Sequence, residues 1–294
     1  TPEHDRDHVR MTHRISWLDV FAERPLAGNG LAVVDSADDV SEETMLALAK
    51  ETRLSETTFV QCARAEGADY RNRIWDPHEE LPFAGHPSLG TAVAVARWRG
   101  LEEASFVQET GAGLQPIHVE EQNVGWSASM LQNEAEFGPE LEREAVMAAV
   151  GLRPEDAHPE LPPQVVSTGM PHVMAPVAEH EVLTRALPDY STIYELSEPH
   201  GSMVIYLVWC EPDRGEARAR SFTRTAEMGE DPATGSAAGP LGAYLSERTG
   251  CERVVIRQGE EMGRPSVLEV EMADGRPRVA GGVIPVFDGE VSLP

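Results

Sequence analysis

Residues 80–87 read Glu-Leu-Pro-Phe-Ala-Gly-His-Pro, and residues 230–237 read Glu-Asp-Pro-Ala-Thr-Gly-Ser-Ala. Glu80 and Glu230, Pro82 and Pro232, and Gly85 and Gly235 all stand 150 positions apart. Each segment opens a run of small, largely apolar residues, Ser88 to Trp98 before Gly100 and Ala237 to Thr249 before Gly250. A helix that is apolar on every face is a buried one, and glycine just past its end is a common stop.

The surroundings repeat as well. Upstream of the first segment the pattern predicts a strand over Ile15 to Phe21, a turn-rich stretch from Glu23 to Gly30, and a strand from Leu31 to Val34. Ser41 is placed to cap a helix carrying Met45, Leu48 and Ala49. A loop through Leu54-Ser55-Glu56-Thr57 then leads to strands Thr58 to Cys62 and Arg71 to Trp75. Ser191 to Cys210 mirrors Ser41 to Cys62, and Arg220-Ser221-Phe222 mirrors Arg73-Ile74-Trp75. Matching order and spacing together indicate an internal duplication.

The fold class expected is therefore α+β, with two pseudo-symmetric lobes, each a curved sheet wrapped round a buried helix. The polar, Pro- and Gly-bearing stretch Glu134 to Pro139 suggests the boundary, giving lobes of residues 14–134 and 135–294. Strands broken by Gly and Pro are expected from Val267 to Val291, and which lobe receives the last is left open. Two such helices would point their N-termini at each other across a cleft. Unpaired N–H groups and positive dipole ends make that cleft an anion site.

Composition limits the partners. The 294 residues include 24 Lys and Arg against 50 Asp and Glu, a formal charge of −26, which repels nucleic acid and anionic lipid. Hydrophobic residues at 41% and charged residues at 25% are ordinary for a globular chain. Cys62, Cys210 and Cys251 are odd in number and lack C-x-x-C spacing, which argues against disulfides or zinc. The longest apolar run, Met203 to Cys210, is short of a membrane span. With no apolar signal core at the start, a cytoplasmic location is expected. Residues 1–13 read as a flexible tail. Glu3, His4, Asp5, Asp7, His8 and His13 within it are metal-binding types without a pattern to fix them.

Three segments carry residue types for proton transfer. Leu54 to Thr58 offers the Glu56 carboxylate, Phe83 to Pro87 the His86 imidazole, and Glu230 to Ala237 the Asp231 carboxylate and Ser236 hydroxyl. Pro87 suits a first helical position, which would set His86 at or beside the N-cap, where a positive terminus keeps imidazole neutral. Gly85 and Gly235 would let a ligand approach the backbone closely. Plainer readings stand beside these: Glu56 as an exposed loop acid, His86 and Ser236 as simple caps, Asp231 as a solvated acid before Pro232.

Four blocks together resemble the PhzF-like family of phenazine biosynthesis: Asp19-Val20-Phe21 with Arg24-Pro25 and Gly28-Asn29; Leu54 to Val60; Glu80 to Pro87; and Glu230 to Gly239. Thr168-Gly169-Met170-Pro171-His172, Gln258-Gly259 and Gly263-Arg264-Pro265-Ser266 add to the likeness. Asn29-Gly30 departs from the family's usual Asn-Pro. The resemblance implies the diaminopimelate-epimerase fold, usually a homodimer. It also implies a cofactor- and metal-free isomerase acting on a small anionic metabolite such as trans-2,3-dihydro-3-hydroxyanthranilate. It assigns Glu56, His86 and Asp231 to catalysis and Ser236 to the site beside them; Ser55, Gly85 and Gly235 are expected to bind substrate together with Ser236. Racemases of this fold resemble one another in carrying a cysteine at each central-helix tip, and neither tip has one here. An isomerase is therefore expected over an epimerase or racemase, with a non-catalytic metabolite-binding or interaction protein as the other alternative.

Overall fold

The structure, a computed structural model, describes residues 11–294. Its first half runs β1 (Met11–Val20), β2 (Asn29–Val34), α1 (Glu42–Thr52), β3 (Glu56–Gln61), β4 (Tyr70–Trp75), β5 (Glu80–Leu81), α2 (Gly85–Arg99), β6 (Glu103–Thr110), β7 (Gly113–Glu121) and β8 (Trp126–Leu131). The second half runs β9 (Glu136–Glu140), α3 (Arg143–Ala149), β10 (Gln164–Ser167), β11 (Pro171–Pro176), α4 (Val182–Arg185), α5 (Tyr190–Ser197) and β12 (Val204–Glu211). It continues through β13 (Glu216–Thr223), β14 (Glu230–Asp231), α6 (Gly235–Thr249), β15 (Arg253–Gln258), β16 (Ser266–Ala273) and β17 (Arg276–Leu293).

Eight strands close into a ring in the first lobe, in the order β1, β2, β3, β4, β6, β7, β8, β17 and back to β1. Only β2 with β3 and β4 with β6 are parallel. The second lobe repeats the scheme through β10, β11, β12, β13, β15, β16 and β17, with β11/β12 and β13/β15 parallel. It is completed by β8, which pairs with β17 and whose chain runs on into β9, the partner of β10. Strands β8 and β17 thus cross between the lobes.

Each ring encloses one helix. Leu89 and Val93 of α2 and Leu241 and Tyr244 of α6 are fully or almost fully buried in one continuous core that spans both lobes. Burying a large apolar side chain is worth roughly 1.5–3 kcal/mol, so these helices owe their stability to enclosure. The duplication extends to an ion pair at equivalent positions. Arg73 on β4 forks onto the Glu80 carboxylate and lies over the Trp75 ring; Arg220 on β13 forks onto Glu230 and lies over Phe222. Both pairs anchor the segment that enters a central helix.

Several expectations are revised. The helices begin earlier, with Ala84 and Thr234 as N-caps, so Pro87 is the third helical residue and His86 and Ser236 are both the second. Glu56 opens a strand, paired in register with Leu31, and is not in a loop. The tail is shorter: Met11, Thr12 and His13 belong to β1, where His13 is buried with Nδ1 3.3 Å from the Asp35 carbonyl. The other five candidate metal ligands of that segment lie outside the described residues. The final stretch is one 18-residue strand. Two of its glycines stand where the strand packs against the residues that follow β1: a Cβ on Gly281 would lie 2.4 Å from the Phe21 ring, and one on Gly282 2.3 Å from the Ala22 carbonyl oxygen.

Candidate active site

The two central helices meet end to end. A Cβ on Gly85 would sit 3.5 Å from the Ser236 nitrogen, and one on Gly235 would press the Phe21 ring at 2.9 Å. Gly235 thus leaves room for the Phe21 ring, while a Cβ on Gly85 would lie at ordinary van der Waals distance from the first turn of α6. The free N–H groups of the two first turns, with their positive dipole ends, therefore gather at one spot.

On one side of this junction stand Glu56, His86, Asp231 and Asn29. Starting β3 beside Leu31 carries Glu56 inward, and only 16% of its side chain is exposed. Its Oε2 lies 3.2 Å from His86 Nε2, without the direction of a hydrogen bond, and neither atom has another partner in the protein. Burial, then the negative charges of Asp231 and Asp76, push the Glu56 carboxyl well above its ordinary pKa. Burial pulls His86 down to about 3, so the imidazole is neutral at any physiological pH. Burial also lifts Asp231 to about 6, against hydrogen bonds donated by Thr234 and Asn29 that favour its charged form. The expected solvated acid at Asp231 is instead largely enclosed.

On the other side, Ser236 Oγ is 3.1 Å from Nε2 of buried His172, whose pKa burial lowers to about 3. Gln132 donates to the Gly235 carbonyl and accepts from Thr168 Oγ1. A cavity of about 290 Å³ opens here, lined in part by Phe83, Met130, Gln132, Thr168, Met170 and Ser236. Glu56, His86 and Asp231 do not line it; Ser236 is the shared residue.

Of the seven predicted residues, six gather at the junction. Ser55 is the outlier: it is exposed, and its Oγ reaches only to 3.5 Å from Asn29 Oδ1. Residue types alone pass over Asn29, His172 and Gln132. Asn29 and His172 stand within the blocks quoted above, whereas Gln132 has no sequence signal beyond its place after an alternating strand.

A family model described as phenazine biosynthesis-like protein matches residues 18–289. The chain belongs to this family. It is 34% identical to the trans-2,3-dihydro-3-hydroxyanthranilate isomerase of Pseudomonas aeruginosa, over 91% of this chain and 93% of that one. A solved structure of a predicted epimerase from the same organism superposes with a TM-score of 0.84 at 37% identity, covering 95% of this chain and 99% of the other. A hydroxyproline epimerase from Agrobacterium vitis, 12% identical with a TM-score of 0.65, covers 96% and 92% and shares the fold alone. The chain is accordingly an isomerase of the phenazine biosynthesis-like family, with the two-lobed fold common to epimerases and racemases. No helix among the described residues is long and apolar enough to cross a membrane.

Proposed function

We propose that the enzyme moves a proton between two carbons of a small anionic metabolite of the trans-2,3-dihydro-3-hydroxyanthranilate type, without a cofactor, and that Glu56 carries the proton. The observation behind this reading is the Glu56 carboxylate, largely enclosed 3.2 Å from His86 at the junction of the helix tips. The substrate carboxylate rests on the N–H groups of Gly85, Gly235 and Ser236. Glu56, made more basic by burial, takes a proton from one carbon as that C–H bond breaks and the electron pair shifts the neighbouring double bond. The same carboxyl returns the proton to the far end of the allylic or enamine system, forming a new C–H bond with no net redox change. Neutral His86 donates a hydrogen bond to a substrate oxygen, and Asp231 orients the substrate. We place Ser55 at the rim of the site, the boundary between lobes 14–134 and 135–294 between β8 and β9, and a second copy of the chain as the partner.

One carrier suits return to the same face, and stereoinversion needs two. Neither helix tip carries a thiol: Cys62 is exposed just past β3, and Cys210 and Cys251 lie on and just before strands β12 and β15. Glu56→Gln is expected to lower turnover of dihydrohydroxyanthranilate by about 10³-fold or more, with binding changed only a few-fold. Solvent-deuterium incorporation followed by NMR reports the same step. Retained turnover in Glu56→Gln sinks the assignment, and binding with neither turnover nor deuterium incorporation by the unaltered enzyme makes it a metabolite binder.

A further inference from the structure

We propose that Asn29 is a positioning residue that sets the tautomer of His86, holding the imidazole with its proton on Nε2, toward Glu56. This deepens the reading above and rests on it for its catalytic meaning, though not for its geometry.

The Asn29 side chain is buried where the two lobes touch. Its amide nitrogen is 2.9 Å from Asp231 Oδ1, 3.3 Å from the Ala233 carbonyl oxygen and 3.4 Å from His86 Nδ1. Ser55 Oγ lies 3.5 Å from the amide oxygen and can donate to it. The orientation of an amide is decided by its partners. Here a carboxylate and a carbonyl, both acceptors only, require the NH₂ group to face them. His86 Nδ1 faces the same NH₂ and therefore acts as acceptor. A neutral imidazole with Nδ1 accepting carries its one proton on Nε2, the nitrogen 3.2 Å from the Glu56 carboxylate. The amide has two protons for three acceptors, so the bond to Asp231 takes one and the Ala233 carbonyl and His86 share the other.

The loop holding Asn29 is itself fixed from the opposite lobe. Arg264 donates to the Gly28 and Ala27 carbonyls and to Asp19, and Asp19 accepts from the Leu26 N–H at 2.6 Å. Gly28 has φ +64°, and a Cβ there would lie 2.3 Å from the Val20 carbonyl oxygen. With the loop pinned, Asn29 gives one side chain three duties: joining the lobes, steadying the ionised form of Asp231, and orienting the proton of His86. An imidazole so held keeps its Nε2–H, which has no hydrogen-bond partner within the protein, for a substrate oxygen, and is not a competing base for the migrating proton.

The test is ¹⁵N NMR of the histidine ring nitrogens at neutral pH, with His86 assigned by its loss in His86→Gln. The unaltered enzyme is expected to show His86 Nδ1 as the bare nitrogen and Nε2 as the protonated one. In Asn29→Leu the donor to Nδ1 is lost, so the proton is expected to populate Nδ1 as well and kcat to fall by about 10²-fold or more, with KM changed less than tenfold. A protonated Nδ1 in the unaltered enzyme overturns the proposal, and so does Asn29→Leu with the tautomer unchanged. The first measurement decides the matter even if the variant does not fold. Failure of the Glu56 mechanism would appear instead as retained turnover in Glu56→Gln with the His86 tautomer as stated.

Discussion

Asp231 shows what the site costs the fold. Its carboxyl ionises near 6 in the folded chain against about 3.9 when unfolded. A group raised in this way stabilises the fold fully below the unfolded value, and that contribution is lost as pH rises through the folded value. The gap corresponds to roughly 3 kcal/mol at most, lost between about pH 4 and pH 6 and constant above. Asp231→Asn removes the charge, and the Thr234 hydroxyl can turn to accept from the new amide. The variant is expected to be more stable than the parent by about 1–3 kcal/mol at pH 8, with the difference vanishing near pH 4, measured by urea unfolding. A difference independent of pH would show that Asp231 is not enclosed as described. His86 and His172 pull the other way: their pKa values near 3 mean that stability falls as pH drops below about 6.5, where the unfolded histidines bind protons first.

Among elements, the central helices were legible because enclosure on all sides leaves a one-sided apolar pattern no room. Ala, Val, Leu and Gly fill every face of α2 and most of α6. The six hairpin strands that complete the rings were harder to read. In β6 the inward positions include Gln108, buried and bonded to Asn72 and Ser88, so alternation of polar and apolar residues is blurred. The long β17 reads as broken because its glycines serve close approach to Phe21 and Ala22 rather than turning the chain. At the site, Glu56, His86, Asp231 and Ser236 were visible through their blocks, while Gln132 acts by geometry alone. It lies against the small face of α6, where a Cβ on Gly239 would fall 1.8 Å from its Oε1. Gly239→Ala is therefore expected to displace Gln132, break its bonds to Gly235 and Thr168, and cost about 2 kcal/mol by chemical denaturation. Turnover should fall with it, since Gln132 holds the first turn of α6; full stability and activity in this variant would remove Gln132 from the description.

For the whole molecule the decisive quantity is the charge of −26, which disfavours nucleic acid as a partner but is silent on how the fold bears it. Many of the 24 basic residues are already committed to pairs, among them Arg73 with Glu80, Arg220 with Glu230, Arg264 with Asp19 and Arg97 with Asp288. Among the described residues much of the acidic excess therefore lacks a basic partner and repels itself, which penalises the compact state. Screening shortens this repulsion, since the Debye length falls from about 10 Å at 0.1 M salt to about 3 Å at 1 M. Surface ion pairs weaken over the same range, but each is worth only about 0–1 kcal/mol. The buried Arg–Glu forks are screened less. The repulsion is thus expected to dominate, and raising sodium chloride from 0.05 to 0.5 M at pH 8 should lift the melting temperature by roughly 2–6 °C. The rise should shrink toward pH 5, where the sequence pI of about 4.7 leaves little net charge to screen. A melting temperature that falls with salt at pH 8, or rises equally at both pH values, would mean that paired charges rather than the acidic excess govern stability.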